Sequence, residues 1–224
     1  MNNTRPARPL RNLPALAATL LIGAALLGPT APAQAADTAA YAAALTEFLR
    51  GAADGGDAAI DSAADQFGRL SAAEPGDPVL RAYAGASLAM RARTTMLPWK
   101  KMGYAEDGLA QIDKALALLT PAHDAPGYRG VPASLETRFT AAGTFLALPS
   151  MFNRNARGAK LLDEVAKSPL LDGAPLPFKA AVWLRAGQEA AKSQNAAEAR
   201  QWLEKVVASG APQAAAAQAK LKEL

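Results

Sequence analysis

The sequence predicts an all-α chain of about four stacked helix pairs, closed by a C-terminal capping helix. Three observations predict it. Gly51, Ala63 and Phe67 are followed by Pro75, and Gly187, Ala199 and Leu203 are followed by Pro212, the pattern of a helix-turn-helix repeat of about 34 residues. Gly85 and Gly143 head two looser copies between them. The composition is rich in Ala and only 6% aromatic, which suits closely approaching helices and lacks the β-branched and aromatic runs of a β-sandwich.

Residues 1–35 read as an export signal rather than as fold. Arg5, Arg8 and Arg11 form a basic leader, and Leu13 to Leu27 form an apolar core. Gly28, Pro29 and Pro32 break it ahead of Ala33-Gln34-Ala35, so cleavage is expected near Ala35. The apolar stretch is shorter than the ~20 residues of a membrane span. No paired arginines precede it, which favours the general secretory route, and no cysteine follows it for a lipid anchor. The expectation is a periplasmic protein with one helical domain over residues 36–224.

Three of the 24 basic residues lie in that leader, leaving 21 against 20 acidic ones. A net charge of about +1 removes the main electrostatic argument for nucleic-acid binding. The chain has no cysteine, so packing alone must hold it outside the cell.

Taken in order, the first pair is expected over Thr38 to Asp54 and Ala58 to Ala73. Leu45, Phe48 and Leu49, then Ile60, Ala64, Phe67 and Leu70, recur at helical spacing. Gly55-Gly56 makes the turn, Asp57 is placed to cap the second helix, and Pro75 stops it. Asp77-Pro78 opens the next helix as cap and first-turn proline, running to about Thr95. Pro98 forces a bend before an elongated helix ending near Leu119, striped by Ala105, Leu109, Ile112 and Leu116. Pro121 to Pro132 is the longest connection. Helices then run from Pro132 to Leu148 and Ala156 to Lys167, separated by an enlarged turn from Pro149 to Asn155. The last pair spans Pro177 to Ser193 and Ala196 to Ala208 with Asn195 as cap, and Gln213 to Leu224 covers the final apolar face.

These residues resemble the tetratricopeptide repeat family. The fourth unit matches best, through Trp183, Gly187, Ala199 and Leu203; the first carries Gly51, Ala63, Phe67 and Pro75. The second has Gly85, Ile112, Ala115 and Pro121 around an insertion, and the third has Phe139, Gly143 and Ala159. The resemblance covers residues 40 to 212 and implies a right-handed solenoid whose first helices line an inner groove. By that analogy Leu45 and Phe48, Ala82, Ala86 and Met90, Thr140 and Thr144, and Leu184 and Gln188 face the groove. It also implies a non-catalytic adaptor for a protein or peptide partner in the cell envelope or a transporter.

Chemistry-bearing motifs are sparse. His123 is the only histidine and lies on a proline-rich loop, so no metal site and no cofactor are expected. Ser87 sits in Gly85-Ala86-Ser87-Leu88-Ala89, which lacks the closing glycine and preceding strand of a nucleophile elbow. Asp57, Asp61 and Asp65 recur every four residues and read as a solvated acidic face. The stronger signal is basic. Arg81, Arg91, Arg93, Lys100 and Lys101 fall in a stretch without an acid, with Trp99 among them. Arg154, Asn155 and Arg157 occupy the other enlarged turn. Arg91, Arg93, Trp99, Lys100, Lys101, Arg154, Asn155 and Arg157 are therefore expected to form a docking edge. The alternative function is capture of an anionic small molecule or glycan between the two basic turns. Pairing of these arginines with Glu106, Asp107, Glu136 or Asp163 is the competing structural use.

Overall fold

The computed structural model describes Met1 and residues 33–224, without the side chains of residues 33–37 and 54. Contacts divide the chain into residues 1–31 and a second unit of residues 32–224. The segment expected to be an export signal lies outside the described residues, apart from Met1 and Ala33-Gln34-Ala35, the last three of which open the first helix.

Among the described residues the fold is all-α: nine α-helices, four short 3-10 turns and no strand. Helices α1 (Ala33–Asp54) and α2 (Asp57–Ala73) pair across Gly55, whose φ of +67° suits a residue without Cβ. Gly56, not Asp57, is the N-cap of α2, and no side chain caps it. Asp57 instead sits in the first turn, where its charge opposes the positive helix pole. Helix α3 (Pro78–Thr94) starts as the sequence predicts. The Asp77 carboxylate accepts from the amides of Val79 at 2.8 Å and Leu80 at 3.0 Å, and Pro78 fills the first turn.

Pro98 opens α4 (Pro98–Ala117), which packs along α3. The long connection that follows holds two 3-10 turns, Pro121–Asp124 and Tyr128–Gly130. His123 closes the first of them: its Nδ1 accepts the Thr120 amide at 2.9 Å. Helices α5 (Ala133–Ala147) and α6 (Asn155–Ala166) form the third pair, with a 3-10 turn at Ser150–Phe152 in the enlarged connection. A further turn at Pro169–Leu171, absent from the sequence expectation, leads to α7 (Leu176–Lys192) and α8 (Ala196–Ala208). Asn195 caps α8 by accepting from the Glu198 amide at 3.3 Å. Helix α9 (Ala214–Leu221) packs on α8.

Between pairs, α2 packs on α3, α3 on α5, and α6 on α7. Three apolar cores fill these joints: Tyr41, Phe67, Leu80 and Tyr83 at one end, Leu109, Ile112 and Phe145 in the middle, and Phe178, Trp183, Leu203 and Val206 at the other. Phe67, Phe145 and Leu203 are fully buried, so truncating any of them to Ala leaves a cavity costing about 2–5 kcal/mol.

The glycines separate the units. A Cβ on Gly85 would lie 2.6 Å from the Gly108 carbonyl oxygen, and one on Gly187 would lie 2.8 Å from Leu203 Cγ. A Cβ on Gly51 would lie 2.8 Å from Ile60 Cγ1. All three mark close helix crossings, but Gly51 meets a residue nearer its hairpin turn than Gly187 does, so the register is not identical. Gly143 marks no crossing, because nothing lies within 4 Å of its Cβ position. In the third pair the crossing belongs to Gly158, against Phe145, Leu146 and the Ala142 carbonyl. Ala159 is exposed, so the sequence alignment of this unit is displaced by one residue.

Candidate functional site

The first helix of each pair, α1, α3, α5 and α7, contributes to one cavity of about 860 Å³. Its walls repeat at three- and four-residue spacing: Phe48, Leu49 and Ala52 on α1, Ala86, Met90 and Arg93 on α3, Thr140, Gly143 and Thr144 on α5, and Phe178, Ala181 and Arg185 on α7. Small residues hold the space open, since a larger side chain at Ala86, Ala89, Gly143 or Ala181 would fill it. Leu148, Met151, Phe152 and Met102 complete an apolar wall beside the turns that begin α4 and end α5.

Four cations line this cavity, Arg93, Lys101, Arg129 and Arg185, and no Asp or Glu does. Arg93, Lys101 and Arg185 make no ion pair among the described residues. The Nε of Arg185 and the amide oxygen of Gln213, both residues of the wall, are buried without a hydrogen-bond partner.

Arg129 belongs to a different arrangement. Glu136, fully buried on α5, accepts at one carboxylate oxygen from Tyr41 at 2.5 Å, Tyr83 at 3.0 Å and Arg129 at 2.7 and 3.0 Å. Tyr128 stacks on Tyr41 with ring centroids 4.3 Å apart and donates to Asp77 at 2.8 Å. The cluster ties α1, α3, α5 and the loop before α5, and Tyr83 and Arg129 present one side of it to the cavity. Arg129 reaches it from a left-handed backbone, φ 43° and ψ 22°, a conformation that a non-glycine residue holds only when its surroundings fix it.

Burial first, then the neighbouring Tyr83 and Glu136 charges, push the Tyr41 phenol well above its ordinary value. Burial followed by Glu136 does the same to Tyr83. For Arg129, burial acts downward, but Tyr83, Glu136 and Tyr41 outweigh it and the guanidinium stays above its usual range. Both phenols therefore hold their protons more tightly folded than unfolded. Their stabilisation is complete below the ordinary tyrosine value of about 10 and is lost as pH rises past it, by up to about 1.4 kcal/mol per pH unit for each phenol. Urea midpoints measured across that range should fall steeply for the native chain and less steeply for Tyr41→Phe. Parallel curves would refute the assignment.

The sequence-predicted groove is reproduced in part. Phe48, Ala86, Met90, Thr140 and Thr144 line the cavity. Leu45 and Ala82 are buried in the packing between helices instead. Leu184 and Gln188 lie off the cavity; Leu184 packs on the core formed by α7 and α8, and Phe178, Ala181 and Arg185 take the lining positions.

The predicted edge divides into residues with internal partners and residues without. Arg91 pairs with Asp61 at 2.5 Å and Asp65 at 2.9 Å, and those hydrogen bonds outweigh burial to raise its pKa. The acidic column on α2 is thus the seat of an arginine rather than a purely solvated face. Arg154 and Arg157 both hold Asp113 on α4, at 2.8 and 2.5 Å, and lie over the Phe145 ring. Asn155 is exposed as the first residue of α6. Trp99 and Lys100 are exposed, and Arg93 and Lys101 join the cavity. None of the four acids expected to pair these arginines does so; Glu136 pairs with Arg129 instead. Ser87 is fully buried inside α3.

Comparison with family models, with curated proteins and with solved structures returns no match to this chain.

Proposed function

We propose that this chain is a non-catalytic binding protein of the cell envelope whose cavity takes an apolar ligand carrying a negative charge. In this reading the helix pairs form a short right-handed solenoid of the tetratricopeptide-like kind, and the export signal delivers it to the periplasm. The observation that carries the reading is the cavity itself: apolar walls, four cations, no carboxylate, and a buried Arg185 Nε without a partner. Its volume of about 860 Å³ lies in the range of sites for small and medium-sized ligands, roughly 300–1,000 Å³.

The same observations move the recognition site away from the edge expected from sequence. Arg154 and Arg157 share Asp113, which weakens an anion site between the two basic turns. A protein adaptor would still use the inner surface, but a groove of this depth and polarity suits an amphiphile better than a folded partner.

Fluorescence titration with dansyl-aminoundecanoic acid, and with its methyl ester, tests the reading. The acid should bind saturably and more tightly than the ester. Gly143→Leu, which fills open space rather than a helix crossing, should weaken binding by about tenfold, roughly the 1.4 kcal/mol of one lost set of apolar contacts. Arg185→Gln should remove the preference for the acid. Unsaturable binding, or equal affinity in Gly143→Leu, rejects the cavity as the site.

A further inference from the structure

Eight large apolar side chains are exposed among the described residues; three of them line the cavity and three more lie at the α3–α4 junction, close in sequence to the cavity residue Met102. Leu49, Met102 and Met151 line the cavity, while Met96 and Leu97, in the turn between α3 and α4, and Trp99, in the first turn of α4, lie within six residues of Met102. Met96 is 91% exposed, Trp99 69% and Met151 66%. No other described residue covers them. Between Asp77 and Glu106 the sequence has no acid, and Arg93, Lys100 and Lys101 in this segment make no ion pair among the described residues.

We infer that this apolar, cationic lip rests on an anionic membrane surface, and that ligand passes across it between bilayer and cavity. The second clause rests on the cavity reading above; the first does not. Indole and thioether side chains suit the boundary between headgroups and acyl chains, where an amphipathic ring keeps its N–H hydrated. Lysines beside them gain from the negative surface potential of acidic lipids. A protein interface is the competing occupant, but its buried centre is depleted in lysine, and two adjacent lysines sit beside Trp99 here. The contact is peripheral, since no helix among the described residues is long and apolar enough to cross a membrane.

Cosedimentation of the purified protein with phosphatidylethanolamine vesicles, with and without phosphatidylglycerol, tests the inference. Binding should be roughly tenfold tighter to the anionic vesicles, with a blue shift of tryptophan emission that Trp99→Phe abolishes while Trp183 and Trp202 remain. Met96→Ser with Trp99→Ser should remove binding to both, and Lys100→Glu should remove the preference for phosphatidylglycerol. None of these three residues lines the cavity, so titration with the dansyl acid in the absence of vesicles should be unchanged. If vesicles are ignored while the dansyl acid still binds, the lip inference falls and the cavity reading survives. If the dansyl acid fails but vesicle binding depends on Trp99, the cavity reading falls together with the passage of ligand, and the membrane contact stands. Crosslinking of an envelope protein through Trp99 without vesicle binding overturns the membrane in favour of a protein surface.

Discussion

Replacing Glu136 with Ala should lower unfolding stability by about 3–5 kcal/mol, the range for removing one partner of a buried charged network. Three donors lose their acceptor at once. Tyr41 is almost wholly buried, so its hydroxyl has no water to turn to and costs on the order of 1–3 kcal/mol, whereas Tyr83 lines the cavity beside Thr140 and loses less. Arg129 contributes less, because its side chain is 36% exposed and its charge can be solvated from the cavity side. The lost methylene and carboxylate add a cavity between α1, α3 and α5. For a body of this size the melting temperature should drop by on the order of 10 °C. Glu136→Gln is the informative comparison. Its amide oxygen still accepts from the tyrosines, so the loss should be about 1–2 kcal/mol. Calorimetry of both variants decides the matter. If Glu136→Ala melted within a degree or two of the native chain, the cluster would not be what joins α1, α3 and α5.

That cluster was not legible in the sequence, whereas much of the helix plan was. Helix starts are written locally: Asp77-Pro78 and Asn195 carry capping chemistry within three residues of the amides they satisfy. Helix faces are periodic, and the repeat therefore placed Phe48, Met90, Thr140 and Thr144 on the cavity wall. Glu136 offers no such pattern, since its tyrosine partners lie 95 and 53 residues away. One signal was present, a Glu set between Leu135 and Thr137 on a helix whose neighbours are apolar. Arg91 was misread for a related reason. Its acids are on the previous helix pair, and a column of aspartates at four-residue spacing looks the same whether it faces water or an arginine. Leu184 and Gln188 are not in the wall, where Phe178, Ala181 and Arg185 stand for α7, and Leu184 packs on the core instead.

Gly85→Ala should destabilise the fold by about 3 kcal/mol, although Ala is the better helix former by about 1 kcal/mol. The new Cβ would meet the Gly108 carbonyl oxygen at 2.6 Å, Gln111 Cβ at 2.9 Å and Ile112 Cγ1 at 2.9 Å. The nearest of these is backbone, which no rotamer change can move. The contact is reciprocal: a Cβ on Gly108 would lie 2.6 Å from the Gly85 carbonyl oxygen and 2.9 Å from the Ala89 amide. α3 and α4 therefore touch through two bare backbones, and either substitution must push them apart. Because α3 also packs on α2 and α5, the displacement would spread through both neighbouring pairs. Gly143→Ala is the control. It occupies the matching place in the sequence repeat but meets nothing within 4 Å, so it should raise stability by up to about 1 kcal/mol through helix propensity alone. Urea unfolding of the two variants thus separates structural register from sequence register. Shifts of opposite sign in that sense support the displaced third unit, and a destabilising Gly143→Ala would return its crossing to the position that the repeat assigns.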